Sequence, residues 1–408
     1  MVYVQRKSAI GLIVVWGFLA FILISTGCAA AATFDRNLRA IVAPHVFSIT
    51  RWEMGILPYE VKEAVSGNHS EIIDDEVALV TRYFSLTERI GALDSRLEAA
   101  GSASGPDQVS LENELAFLEK QRAELTPSVE RVIARQVREA LKQQGIYSPL
   151  SGAEVSFPPL NFTLQEPPRL LVVSPRDHIE SIREVTLKQD ISLAEIEAVE
   201  AKVDSLGVSS LVVRLGGLST FPTFVSDNGS LSFVIDAVVE EWLHQYLAFT
   251  PLGFRYVLDA TGVSRDYEIA TMNETVAGMV SDEIGAMVYD RYYGGNGDGA
   301  GDEESEEFDR EMREIRRTVD EYLARGEAAA AEQFMEERRQ YLAGKGYYLR
   351  KLNQAYFAFY GTYADSPTSI SPIGLELKKL REQSASVKDF LGRAATLTSR
   401  EDLKLSIE

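Results

Sequence analysis

The stretch VVEEWLHQYL, Val238 to Leu247, brings two carboxylates and an imidazole together in Glu240, Glu241 and His244. On a helix turning about 100° per residue, His244 lies about 40° round from Glu240 and Glu241 about 100°, so all three share one polar arc. Glu240 and His244 are one turn apart and can hold one ion between them. Glu241, beside them, could take a proton from a water on that ion. Ala237 and Ala248 leave room over the arc, while Trp242, Leu243 and Leu247 belong to an apolar opposite face. An amphipathic helix with a solvated polar stripe would account for the same pattern.

A later segment, MNETVAGMVSDEIGAMVYD, Met272 to Asp290, adds a second helix. Its Glu274 shares a face with Gly278, Ser281 and Gly285, and Val276, Val280 and Ile284 fill the other side. Small residues on one face let two helices approach closely. A carboxylate buried there needs a partner, because an isolated buried charge is costly. A metal shared with Glu240 and His244 would supply one. The alternative is that Asn273 caps the helix and Glu274 is a first-turn acid favoured by the helix dipole.

With both segments in view, the chain resembles the gluzincin metallopeptidases, whose first helix carries H-E-x-x-H and whose later helix carries N-E-x-x-[AS]. The resemblance covers Val238–Leu247 and Thr271–Gly285. It implies that His244 is a metal ligand, Glu241 the general base and Glu274 the third ligand, with Asn273 beside them. In the segment LNQAYFAFYGTY it implies that Tyr360 or Tyr363 stabilises the oxyanion, although an aromatic run of this kind also suits a core. The implied cofactor is one divalent metal, zinc before manganese.

Two positions depart from the family. Glu240 stands where the first histidine would be. Zinc accepts carboxylate oxygen, but a site of Glu240, His244 and Glu274 carries more negative charge and leans toward harder ions such as manganese. Gly278 stands where thermolysin-like members often have the acid that orients the first histidine. With no imidazole there to orient, that acid has no task.

The rest of the chain must position these residues. An α+β fold is expected, mostly helical: an N-terminal membrane segment, a helical hairpin, and a small mixed sheet beside the metallopeptidase-like helices. Residues 1–32 read as a membrane anchor or signal. Arg6 and Lys7 precede an apolar run from Ala9 to Thr26, about long enough to span a bilayer, and the positive flank would leave the body outside the cytoplasm, on the periplasmic side of a bacterium. Small residues after the run offer a cleavage site instead, and STGC resembles a lipoprotein box at Cys28. Residues 33–160 read as a juxtamembrane helix broken near Pro58 and then a hairpin turned at GSASGPDQ, with coiled-coil-like spacing. Residues 161–293 make the core: RLLVVSP and SSLVVRLGG read as strands, with a helix between them that has a serine start and a glycine stop. Residues 294–305 are an acidic glycine-rich linker. Residues 306–408 are helical, with an aromatic segment packed on the body.

Composition bounds the partners. There are 61 acidic and 41 basic residues, a net charge of -20, which argues against nucleic acid. The single cysteine, Cys28, excludes an intrachain disulfide framework or thiolate cluster. His45, His69 and His178 lack ligand-like spacing. The expectation is therefore a membrane-anchored, exported, metal-dependent peptidase acting on a peptide or protein substrate. The alternatives are an inactive pseudopeptidase that binds a peptide or envelope partner, and a structural envelope protein built on the hairpin.

Overall fold

The computed structural model describes residues 33–47, 75–100, 106–150, 154–294, 302–364, 366, 368–369 and 371–408. The apolar run after Arg6 and the segment around Pro58 lie outside the described residues. Among the described residues no helix is long and apolar enough to cross a membrane. The described residues are mostly helical, with two small sheets among them.

Helix α1 spans Thr33–Val42, and α2 (Glu76–Ala100) and α3 (Pro106–Gln143) form the hairpin. The start of α2, through Val80, Tyr83 and Phe84, shares a core with the later part of α3 at Val129, Ile133 and Val137. Farther along α2, Ile90 and Leu93 join Leu118 from the earlier part of α3. That crossed order makes the pair antiparallel. The hairpin is no free stalk, because Ile133 and Val137 enter the same core as the helices that carry Glu240 and Glu274.

Where one small mixed sheet was expected, the described residues form two three-stranded sheets. In the first, β2 (Arg169–Pro175) lies between β3 (Arg183–Leu187) and β4 (Val208–Val213), all antiparallel. Its side chains alternate. Val172 enters a core with the later helices, while Leu171 and Val173 face α1 and α4 (Leu193–Asp204). Ser192 caps α4 in a capping box with Glu195, and Gly207, at φ 88°, turns the chain into β4. In the second sheet, β6 (Thr223–Val225) pairs in parallel with β1 (Phe162–Leu164) and antiparallel with the short β5 (Gly217–Leu218).

The chain then enters α5 (Leu231–Leu247), capped by Ser230, followed by α6 (Pro251–Ala260), capped by Thr250, and α7 (Tyr267–Tyr293), capped by Asp266. Helices α5 and α7 pack through Val234, Val238, Leu243, Val276, Val280 and Ile284. They approach closely at Gly285, where an added Cβ would lie 1.8 Å from Asp236 Oδ1. This is the close contact that the small face of the second helix implied. Gly253 serves the turn between α5 and α6: a Cβ there would fall 2.0 Å from the Leu247 carbonyl oxygen.

The charged region forms a helix pair, α8 (Asp302–Ala324) and α9 (Ala328–Gly344), so the last residues of the expected linker are already helical. The aromatic segment forms α10 (Gln354–Tyr360), which buries Phe357 against β2 and β4. Helices α11 (Ile373–Glu382), α12 (Val387–Ala394) and α13 (Arg400–Ile407) close the core beside α7.

Leu243 is fully buried on α5. Leu243→Ala is expected to destabilise the protein by about 2–5 kcal/mol through lost burial and a cavity. Chemical denaturation checks this, and a loss under about 1 kcal/mol would show that α5 is not anchored by this face.

Candidate metal centre

The polar arc of α5 faces α7, and the packing of the two helices brings Glu240, His244 and Glu274 together. One ligand atom from each lies within 4.8 Å of the others. His244 Nε2 is 3.4 Å from Glu274 Oε2, and both side chains are nearly buried, at 11% and 13% exposure. Two ligands about 2.1 Å from one ion at a tetrahedral angle would stand about 3.4 Å apart. The other ring nitrogen, Nδ1, is 2.9 Å from Asn273 Oδ1. With that oxygen accepting, Nδ1 carries a proton; in the ion-free protein, against the opposing effect of burial, the acids raise the imidazole pKa to about 10, so Nε2 is also protonated toward Glu274 and would give up that proton to an ion. Helix α7 begins at Tyr267 under its Asp266 cap, so Asn273 and Glu274 lie past the first turn. The reading of Asn273 as a cap is thereby overturned: its side chain meets the imidazole instead.

Two tyrosines attend the carboxylates. Tyr256 on α6 donates its hydroxyl to Glu274 Oε1 at 2.6 Å, and its ring stacks on His244 with centroids 5.9 Å apart. Tyr363, after α10, is buried near the same carboxylates: burial, then Glu274 and Glu240, raise its hydroxyl well above the usual tyrosine range. Tyr360, offered with it as an oxyanion donor, is elsewhere: its ring lies 4.5 Å from that of Tyr356, in the core shared by α8, α9 and α10. The reason is periodicity. Tyr360 is the last residue of α10 and follows that helix's packing face, whereas Tyr363 lies beyond the helix end at Gly361 and is free to turn toward α7.

Glu241 points to the other side of the arc, under β5. It accepts a hydrogen bond from the Ser219 hydroxyl, and a Cβ at Gly217 would fall 2.4 Å from its Oε1. Gly217 therefore lets the strand backbone lie directly on the carboxyl. Gln245, one turn on, donates to the Thr220 carbonyl oxygen and to Thr223 Oγ1, both at 2.8 Å, and fixes the β5–β6 turn to α5.

The electrostatics are those of too many acids around one base. Burial would lower the His244 pKa, but Glu274, Glu241 and Glu240 together raise it. Glu274 is held below the ordinary carboxyl range: burial opposes this, and His244 with the two tyrosine hydroxyls outweighs it. Glu240 is raised by burial and by Glu274, although His244 pulls the other way. Burial likewise lifts Glu241 to about 7. Glu240 Oε1 is buried with no hydrogen-bond partner. An orphaned carboxylate oxygen beside an imidazole nitrogen and a second carboxylate is the donor set of a divalent cation, and these residues fit one.

Tyr256 and Ser219 were not legible in the sequence. Nothing in the spacing of Tyr256 ties it to His244. The one available signal was Thr250–Pro251, a cap and first helical position that restart the chain as α6 beside α5. Compared with known proteins, the chain matches no family model, no curated protein and no solved structure.

A further acid lies one turn before Glu240. Burial, then repulsion from Asp282 and Glu240, raises the Asp236 carboxyl from 3.8 to about 7. A raised carboxyl favours the fold while protonated. Its contribution is whole below about pH 4 and is lost as the pH climbs through about 7. Stability of the ion-free protein is therefore expected to fall from about pH 5 to about pH 8, and Asp236→Asn to remove roughly 2–3 kcal/mol of that fall. Denaturant titrations at the two pH values check it; an unchanged fall in the variant would refute the assignment to Asp236.

Proposed function

We propose that the chain is a metal-dependent peptidase, exported and anchored to a membrane by its N-terminal segment, with its centre at Glu240, His244 and Glu274. The observation that carries this reading is the cluster of Glu240, His244 and Glu274, in which Glu240 keeps a buried oxygen with no hydrogen-bond partner. The resemblance of E-E-x-x-H and N-E-x-x-A to the gluzincin pattern supports the reaction type. The run after Arg6 and Lys7 supports the location.

The divalent cation, zinc or manganese, would polarise a peptide carbonyl and make a water more acidic. The resemblance gives the proton transfers of hydrolysis to Glu241, whose carboxyl, lifted by burial to about 7, would have to turn from Ser219 toward the arc to meet a water there. Ser219 fixes which way that carboxyl faces. Asn273 sets the His244 tautomer, and Tyr256 holds both His244 and Glu274. Tyr363 is the remaining candidate for the oxyanion, buried near Glu274 and Glu240.

The test begins with metal content. Full-length protein is expected to hold close to one zinc or manganese per chain by elemental analysis, and His244→Ala to lose it. Against a peptide library, Glu241→Gln should keep the metal and lose about 10²–10⁴-fold in hydrolysis. Metal without cleavage in the wild type would leave a pseudopeptidase that binds a peptide or envelope partner. No metal in the wild type, even after zinc or manganese is supplied, would remove the centre altogether.

A further inference from the structure

The two oxygens of Glu274 have different partners. Oε1 accepts the Tyr256 hydroxyl at 2.6 Å, and Oε2 lies 3.4 Å from His244 Nε2. Tyr256 also meets the imidazole itself: the two rings stack with 24° between their planes and 5.9 Å between centroids. One side chain of α6 therefore bounds both members of the Glu274–His244 pair. It is delivered by a braced helix. The Thr250 hydroxyl at the start of α6 donates to the Leu247 carbonyl oxygen at 2.7 Å, and the Leu252 backbone N–H donates to the Ala395 carbonyl oxygen at 3.1 Å. At the other end the Asp266 N–H, at the cap of α7, donates to Asp259 Oδ1 at 2.7 Å. Helix α6 is thus tied to α5, to the end of α12 and to the start of α7, which fixes where the Tyr256 hydroxyl stands.

We infer that Tyr256 is a positioning residue that limits Glu274 to one donor atom and thereby sets the coordination number and ion preference of the centre. The inference rests on the reading of Glu240, His244 and Glu274 as a metal site. A carboxylate oxygen that already accepts a short hydrogen bond is a poorer donor to an ion, so with Oε1 engaged by the phenol, Oε2 is the oxygen left for a cation. One atom each from Glu240, His244 and Glu274 makes three ligands, and a tetrahedral ion then keeps its fourth position for water. A Glu274 free to give both oxygens would fill that position or raise the count, which suits oxygen-rich, six-coordinate ions better than zinc. The Tyr256 hydroxyl thus offsets the lean toward harder ions that a carboxylate at position 240 brings.

The test uses full-length protein stripped of metal. Zn²⁺ and Mn²⁺ affinities are measured by competition against a chelating dye. Co²⁺ is added separately as a probe, because its visible bands are strong in a four-coordinate site and weak in a six-coordinate one. The wild type is expected to give the strong bands. Tyr256→Phe keeps the ring beside His244 and removes only the hydroxyl. It should weaken Zn²⁺ binding by about tenfold, change Mn²⁺ binding by about twofold or less, and weaken the Co²⁺ bands. Thermal midpoints show whether the variant has folded, and the wild-type Co²⁺ spectrum decides the coordination number even if it has not. Weak Co²⁺ bands in the wild type, unchanged affinities in Tyr256→Phe, or an equal loss of both ions with the bands unchanged would overturn the role of the hydroxyl while leaving the metal centre standing. Failure of the wild type to bind any of the three ions would overturn the centre, and the inference with it.

Discussion

Between α5 and α7, the carboxyls of Glu240 and Glu274 share a nearly buried space with one imidazole, and the carboxyl of Glu241 is buried next to it under β5. A buried charge without a partner is costly, and several like charges in one space are more so. The surrounding residues are arranged to meet that cost. Glu274 takes the largest share of compensation, from His244 and two phenols, and stays ionised. Glu241 has a serine hydroxyl, and Glu240 is left with an unsatisfied oxygen. Burial pushes Glu240 and Glu241 toward their neutral forms, which is how the ion-free protein limits the repulsion.

The fold supplies this space by bringing two helices close together and then capping the gap from three sides. Gly285 lets α7 lie against Asp236 of α5, and the tight turn at Gly253 brings α6 back so that Tyr256 reaches over His244. Gly217 brings the β5 backbone onto Glu241. Each glycine stands where a backbone or carboxyl occupies the position of a Cβ. The hairpin of α2 and α3 and the closing helices α11 to α13 bury the far side of α5 and α7, and so fix the pair against rotation. Turning α5 by one residue would move its arc about 100° and take His244 from Glu274.

Much of the centre was legible because helices are periodic. The spacing of Glu240, Glu241 and His244, and the small face around Glu274, follow from about 100° per residue and need no knowledge of the rest of the chain. The strands RLLVVSP and SSLVV were legible as short apolar runs between turns, and the capped helix between them from Ser192 and Gly207. Partition of the strands into two sheets was not, because pairing depends on contacts distant in sequence. The two tyrosines of LNQAYFAFYGTY could not be told apart for the same reason: one completes a helix facing β2, and the other follows the turn at Gly361 toward α7.

The sequence by itself determined which side chains lie on one face of each helix, where the helices start and stop, and that an excess of acid surrounds His244. Those properties are local, set by backbone geometry and by the nearest residues in the chain. The tertiary structure decided that the two faces meet, that Asn273 turns to the imidazole rather than capping a helix, and that Tyr256 and Ser219 hold the carboxyls. These depend on how α6, β5 and the segment after α10 pack over α5 and α7. Packing of that kind is settled by burial across the whole core, and no stretch of sequence around His244 carries it.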